Sequence, residues 1–257
     1  MASGAKAKVF VSLHVPGDPL ILYNAWDAGS AKAVAEAGAR AIATGSASVA
    51  AANGYGDGQQ VPLQFVFDNA ERIVRAVDLP VTVDFEGGYG VAPGEVMRNV
   101  SLLASAGAIG CNFEDQVIGG EGLHPIAFQA ERIHAARSAT WPDFFINART
   151  DIFLKAKAEE HDDAMVDAAI ERARAYAEAG ASGFFVPGLA DLRLLKRVCD
   201  ASPIPVNFMA FPSAPAAAAV AGAGIARISH GPFPYRLAMK ALKEGAAAAM
   251  DLGGQAS

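Results

Sequence analysis

The sequence predicts an α/β protein of the (β/α)₈ TIM-barrel class, and three observations lead there. The chain is 257 residues long, eight short apolar runs recur along it, and alanine-rich amphipathic segments separate them. That length suits one barrel, spanning residues 1–257 as a single domain. The apolar runs fall at 20–23, 41–44, 81–85, 109–113, 144–147, 183–186, 206–209 and 225–228. Each has the composition of a parallel strand buried on both faces. Between them, 28–37, 95–106, 164–179 and 192–200 space their apolar residues as helices do. Gly38, Gly107, Gly180 and Gly222 close such segments, at the place where the residue after a helix favours the left-handed region. Strand, helix and strand in series require parallel pairing with right-handed crossovers. No Gly-x-Gly-x-x-Gly follows the first strand, which argues against an open dinucleotide-binding sheet. A further helical stretch, 234–250, follows the eighth strand; it is expected to cap the barrel or to embrace a neighbouring subunit. The tail, 251–257, is expected to fray.

Composition narrows the class. Formal net charge is −6 and the basic residues are scattered, so neither nucleic acid nor an anionic membrane is the expected partner. Although 52% of residues are apolar, no run approaches the ~20 needed to span a bilayer. The N-terminal stretch MASGAKAKVF has no signal-type apolar region, and Cys111 and Cys199 match no metal spacing. A cytoplasmic location with two buried, reduced thiols is the expectation.

The polar residues gather where a barrel carries its chemistry, at the C-terminal ends of strands. Strand three ends in Asp84-Phe85-Glu86-Gly87-Gly88-Tyr89-Gly90, strand four in Asn112-Phe113-Glu114-Asp115-Gln116, and strand five in Asn147-Ala148-Arg149-Thr150-Asp151. Asp84 and Glu86, two apart, are expected to point alike toward the mouth, with Glu114 on the next strand. Three clustered carboxylates repel unless a cation intervenes, and oxygen donors favour Mg²⁺ or Mn²⁺. Arg149 at a buried strand end can clamp a carboxylate; its alternative is a structural salt bridge. Thr44-Gly45-Ser46 offers backbone N–H groups as a nest for an anionic oxygen. Strand seven contributes Asn207 and strand eight His230. His124, just before Pro125, reads as the start of a helix.

Together these motifs resemble the isocitrate lyase and phosphoenolpyruvate mutase superfamily over residues 24–236. The matching segments are Asn24-Ala25-Trp26-Asp27, Gly54-Tyr55-Gly56-Asp57, Asp84-Phe85-Glu86-Gly87-Gly88-Tyr89-Gly90, Phe113-Glu114-Asp115-Gln116 and Asn147-Ala148-Arg149-Thr150-Asp151. The resemblance implies the same barrel, with its last helix often exchanged between subunits of a dimer or tetramer. It implies that Asp84, Glu86 and Glu114 surround Mg²⁺, some through water, and that Asp57 faces metal and substrate. Trp26, Gly45 and Ser46 would then hold the substrate's carboxylate end and Arg149 its other charged group. The shared chemistry passes through an enolpyruvate-like anion.

This chain departs from the superfamily twice. Glu86 stands where the family usually has aspartate. The segment after Gln116 reads Val117-Ile118-Gly119-Gly120-Glu121-Gly122-Leu123, without the lysine and cysteine of isocitrate lyases or the lysine and asparagine of phosphonate enzymes. The leading expectation is therefore a metal-dependent lyase that cleaves or decarboxylates a small 2-oxo or 2-hydroxy acid, with His230, Tyr55 or a water handling the proton. The alternatives are a phosphonopyruvate-type mutase or hydrolase, and a barrel that binds a 2-oxo acid without turning it over.

Overall fold

The computed structural model describes residues 3–254. Its parallel strands are β1 (Leu20–Leu22), β2 (Ile42–Ala43), β3 (Val81–Asp84), β4 (Gly110–Glu114), β5 (Phe145–Arg149), β6 (Gly183–Phe185), β7 (Val206–Met209) and β8 (Arg227–Ser229). The helices are α1 (Ser3–Ser12), α2 (Ala28–Glu36), α3 (Ser46–Ala52), α4 (Leu63–Ala76), α5 (Pro93–Ser105), α6 (Ile126–Ser138), α7 (Asp163–Glu178), α8 (Leu192–Ala201), α9 (Ala217–Gly222) and α10 (Phe233–Gly254). The sheet order β1-β8-β7-β6-β5-β4-β3-β2 leaves one seam without a ladder. At the mouth that seam is bridged: Ala25 N–H donates to the Ala43 carbonyl at 2.8 Å, and Gly45 N–H donates to the Ala25 carbonyl at 3.2 Å. The result is a nearly closed (β/α)₈ barrel.

Local chemistry sets the helix ends. Asp27, Asp162 and Asp191 each accept from a backbone N–H three residues on, which starts α2, α7 and α8; such a cap is worth about 1 kcal/mol. Gly38, Gly107 and Gly180 take φ of 93°, 96° and 101°, as their position after a helix predicts. Gly222 does not. It remains inside α9, and Gly224 (φ 98°) makes the left-handed turn instead, because the helix runs two residues further before the chain reverses.

The sequence pattern missed α1. Its buried Ala7 and Phe10, with Leu13 beyond its end, plug the bottom of the barrel against Leu20, Leu22, Ala43, Ile109 and Phe145. Val9 and Val11 face out, so no clean apolar stripe betrays the helix. Above this plug, β1 departs from expectation: Ile21 is 46% exposed rather than buried. The reason is α10, which projects from the barrel with Leu237, Leu242 and Met250 exposed instead of covering β1. The 251–257 tail divides: α10 continues through Gly254, and 255–257 lie outside the described residues. Among the described residues no helix is long and apolar enough to cross a membrane.

Candidate active site

Asp84 ends β3 on a buried polar platform. Its Oδ2 accepts from the Ser46 backbone (3.1 Å) and hydroxyl (2.9 Å), and its Oδ1 from Asn112 Nδ2 (3.3 Å). The Asn112 Oδ1 in turn accepts from Asn147 Nδ2 (2.9 Å) and Arg227 Nη2 (3.1 Å). Those two donors fix the amide so that its NH₂ faces Asp84. Asn147 also reaches Asn207 Oδ1, so an amide layer crosses the barrel beneath the mouth.

Glu86 reaches the mouth by a different route from the one its spacing suggests. β3 ends at Asp84, and Glu86 lies in a turn with φ 49°, so strand alternation does not orient it. Its Oε2 accepts from the Gln59 backbone (2.6 Å) and its Oε1 from the Tyr89 hydroxyl (3.3 Å). Gln59, Glu86 and Tyr89 are also the non-glycine residues with positive φ among the described residues. Such strain persists only where surroundings enforce it. Here Arg132 does so from behind, donating to the Gly87 and Gly90 carbonyls, while Asn99 donates to the Gly88 and Tyr89 carbonyls.

Glu114 and Arg149 end β4 and β5, and Nη1 lies 2.8 Å from Oε2. Arg149 does make a bidentate clamp, but on Asp151 of its own chain, with Nε to Oδ1 at 2.6 Å and Nη2 to Oδ2 at 2.9 Å. Asp151 is held in turn by Asp115, which accepts its backbone N–H and pairs with Arg172 and Tyr176.

These walls enclose a cavity of about 230 Å³ lined by Ser46, Asp57, Gly58, Glu86, Glu114, Gln116 and Arg149. Burial, then the charges of Asp84 and Asp57, pushes the Glu86 carboxyl up to about 7. Burial and Asp84 likewise raise Asp57, and burial raises Glu114 despite Arg149. The carboxylates thus outnumber the one guanidinium on this wall, and all are hard oxygen donors. A divalent cation fits that surplus. Among the described residues no three acidic, histidine or cysteine side chains converge closely enough to enclose an ion unaided. An ion held there would have to complete its coordination with water, as Mg²⁺ commonly does.

Several expected residues lie elsewhere. The Thr44-Gly45-Ser46 nest is already occupied: its three N–H groups bond to the Thr82 carbonyl, the Ala25 carbonyl and Asp84, because they close the barrel and hold the acid. Gly45 is needed for space, since a Cβ there would meet the Gly231 carbonyl at 3.3 Å. Trp26 packs edge-on against Tyr235 at 5.2 Å, and Tyr55 is exposed on its loop. Asn207 is buried in the amide layer. The His230 ring lies beside Tyr23 and the Leu22 carbonyl and does not line the cavity. His124 is buried just ahead of α6. Burial lifts both thiols to about 12; Cys111 is buried and Cys199 partly so.

The sequence reading gave no role to Gln59, Tyr89, Gln116, Asp151 or Arg132. Of these only Asp151, two residues after Arg149, carried a usable signal: an acid beside a buried guanidinium.

A parallel barrel with an acidic cavity at the C-terminal ends of its strands has the architecture of a (β/α)₈ enzyme. The chain belongs to the phosphoenolpyruvate phosphomutase family, which matches residues 10–250. It is 34% identical over 246 residues to an uncharacterised protein of Mycobacterium tuberculosis, covering 94% of this chain and 89% of that one. It is 34% identical over 215 residues to 2-methylisocitrate lyase of Escherichia coli, covering 76% and 70%. The crystal structure of a candidate phosphonomutase from Burkholderia cenocepacia superposes with a TM-score of 0.93 at 51% identity, over 98% of this chain and all of that one.

Proposed function

We propose that this chain is a Mg²⁺-dependent carbon–carbon lyase, with Mn²⁺ as a substitute, acting on a small 2-oxo or 2-hydroxy acid through an enolpyruvate-like anion. The observation that carries this reading is the surplus of carboxylates around a cavity of about 230 Å³ with a single guanidinium on its wall. Asp84, Glu86 and Glu114 would hold the cation. When bound, it supplies Lewis acidity toward the substrate carbonyl and positive charge for the developing oxyanion.

The chain's own residues do the rest. Of the five N–H donors of Arg149, three are engaged with Asp151 and Glu114, and the others are free to hold a substrate carboxylate. Ser46, whose hydroxyl donates to Asp84, lines the same cavity and holds that acid in place. Asp57 stands on the Gly54–Gly58 loop and lines the cavity, and burial with the Asp84 charge raises its carboxyl, which favours its holding a proton for the substrate. Tyr55 and His230 lie outside the cavity and are not assigned that task. The 116–123 hairpin, closed by Val117 N–H to the Gly122 carbonyl, brings Gln116 to the cavity wall.

The partner of the subunit is a second copy of itself, in a dimer or tetramer. The exposed apolar residues of α10 and the open groove of about 610 Å³ beside Ile21, Tyr23 and Val34 support an exchange of α10 between subunits.

A second reading, phosphonate mutase or hydrolase chemistry, is favoured by the 51% identity to the candidate phosphonomutase. Thermal shift with Mg²⁺ and oxalate, oxaloacetate or phosphonopyruvate, followed by product analysis, separates the readings. Pyruvate with CO₂ supports decarboxylation, phosphate supports the phosphonate reading, and stabilisation without turnover supports a binding barrel. No stabilisation by any metal–acid pair would sink the proposed site.

A further inference from the structure

The space at the mouth does not end at the carboxylates. Between the 86–90 turn and the 116–123 hairpin lies a second cavity of about 340 Å³. Gln116 lines both cavities. Gln59 and Tyr89 line the second, and between them they hold both oxygens of Glu86, which lines the first. The partition is therefore Gln59, Glu86, Tyr89 and Gln116. Three of those four are the residues held at positive φ, so the fold sustains backbone strain to keep this wall in place.

The two cavities have opposite chemistry. The first carries acids and a guanidinium. The second is walled by Val91, Val117 and Ile118 and by uncharged amide groups. Its one guanidinium, Arg132, is 1% exposed; its Nη groups are engaged with the Gly87 and Gly90 carbonyls and with Gln129, and its Nε, without a partner among the described residues, is buried. Its one imidazole, His124, is buried, and burial with the charges of Arg132 and Arg172 disfavours the cationic form. A second carboxylate or a phosphonate placed there would lose hydration and meet only a guanidinium whose Nη1 and Nη2 already donate to Gln129 and to the Gly87 and Gly90 carbonyls. An alkyl group would gain from the same burial. Ile118 marks the threshold: a Cβ at Gly87 would meet its Cγ1 at 3.0 Å and Gln59 Nε2 at 3.2 Å. Gly87 leaves free the space beside Ile118 and Gln59 that any side chain would fill.

We propose that this apolar annex receives a short alkyl branch of the substrate, so that the 2-oxo or 2-hydroxy acid turned over carries a hydrophobic substituent and no second charged group at that end. The proposal rests on the metal-and-oxo-acid reading of the first cavity. A volume of about 340 Å³ lies at the small end of ligand cavities, which suits a branch of a few carbons.

The test is calorimetry on the full chain with Mg²⁺ and oxalate, pyruvate, 2-oxobutyrate, 2-oxopentanoate, 2-oxohexanoate and 2-oxoglutarate. Affinity should rise about threefold to fourfold for each added methylene, and 2-oxoglutarate should bind at least tenfold more weakly than 2-oxopentanoate. Ile118→Asp, on the half-buried limb of the 116–123 hairpin, should bring the Kd ratio of 2-oxohexanoate to pyruvate back to about one while oxalate still binds, which shows that the variant is folded. Binding of oxalate and pyruvate with flat or falling affinity along the series would overturn the annex and leave the metal site standing. Failure of oxalate and every 2-oxo acid to bind would overturn both.

Discussion

Glu114 and Arg149 end adjacent strands in direct register, and their side chains meet 2.8 Å apart at the floor of the cavity. The same guanidinium grips the fully buried Asp151, so one cation serves two acids. Arg149→Ala would leave both acids buried and unpaired, which costs about 3–5 kcal/mol. Urea unfolding of the metal-free variant measures this. A loss below 1 kcal/mol would mean that the acids simply take up protons.

Glu114→Gln preserves shape and removes the charge. Mn²⁺ affinity, followed by electron paramagnetic resonance, should fall at least tenfold, with turnover lost at subsaturating metal. Unaltered Mn²⁺ affinity would exclude Glu114 from the metal set.

Glu86 makes stability depend on pH. Its carboxyl is raised from 4.5 to about 7, so the folded state binds that proton more tightly than the unfolded chain does. The resulting stabilisation is complete below about 4.5 and is lost as pH rises through 7. In EDTA, Glu86→Gln should therefore gain on wild type across that window, by about 3 kcal/mol at most by pH 8. Mg²⁺ should shrink the difference. A difference that does not vary with pH would refute the assignment.

Two buried arginines should respond in opposite ways. Arg132 holds the strained 86–90 turn through the Gly87 and Gly90 carbonyls, so Arg132→Met should cost about 3 kcal/mol and perturb Glu86. The Arg227 guanidinium, also fully buried, makes one hydrogen bond, to Asn112, and its Nε and Nη1 find no partner among the described residues. Arg227→Met removes an expensive buried charge and should be neutral or stabilising. Melting temperatures that move together would contradict the contrast.

Gly222 and Gly224 offer a local check. Gly222→Ala lies within a helix with open space around the new methyl and should stabilise by up to about 1 kcal/mol. Gly224→Ala must adopt φ 98° with its Cβ 3.1 Å from Cys199 and should destabilise by more than 1 kcal/mol. Equal melting temperatures would refute the revised helix end.

Much of the barrel was legible because its signals are local. Buried parallel strands must be short and apolar, as 109–113 and 206–209 are, and a helix that stops before the next strand needs a left-handed glycine, as at 107 and 180. The acids stood out because Asp84 and Glu114 sit at strand ends, where an ionised side chain is costly without a purpose. Less was legible where the pattern has no fixed period. α1 hides its buried Phe10 among exposed valines, and Glu86 leaves the strand before alternation can orient it.

The order of strands and helices, and the strand ends that carry acids, follow from local chain chemistry, because propensity, periodicity and solvation act over a few residues. Only the tertiary structure decided which partners those acids have. Arg149 could be recognised as a clamp, but its choice of Asp151 and Glu114 depends on strand register. The backbone groups of 44–46 could be recognised as donors, but barrel closure engages them before any ligand can. The partition between the charged cavity and its apolar annex joins Gln59, Glu86, Tyr89 and Gln116 from three separate loops. Hydrogen bonds and burial between distant segments have no period in the sequence, so that wall exists only once the barrel has closed.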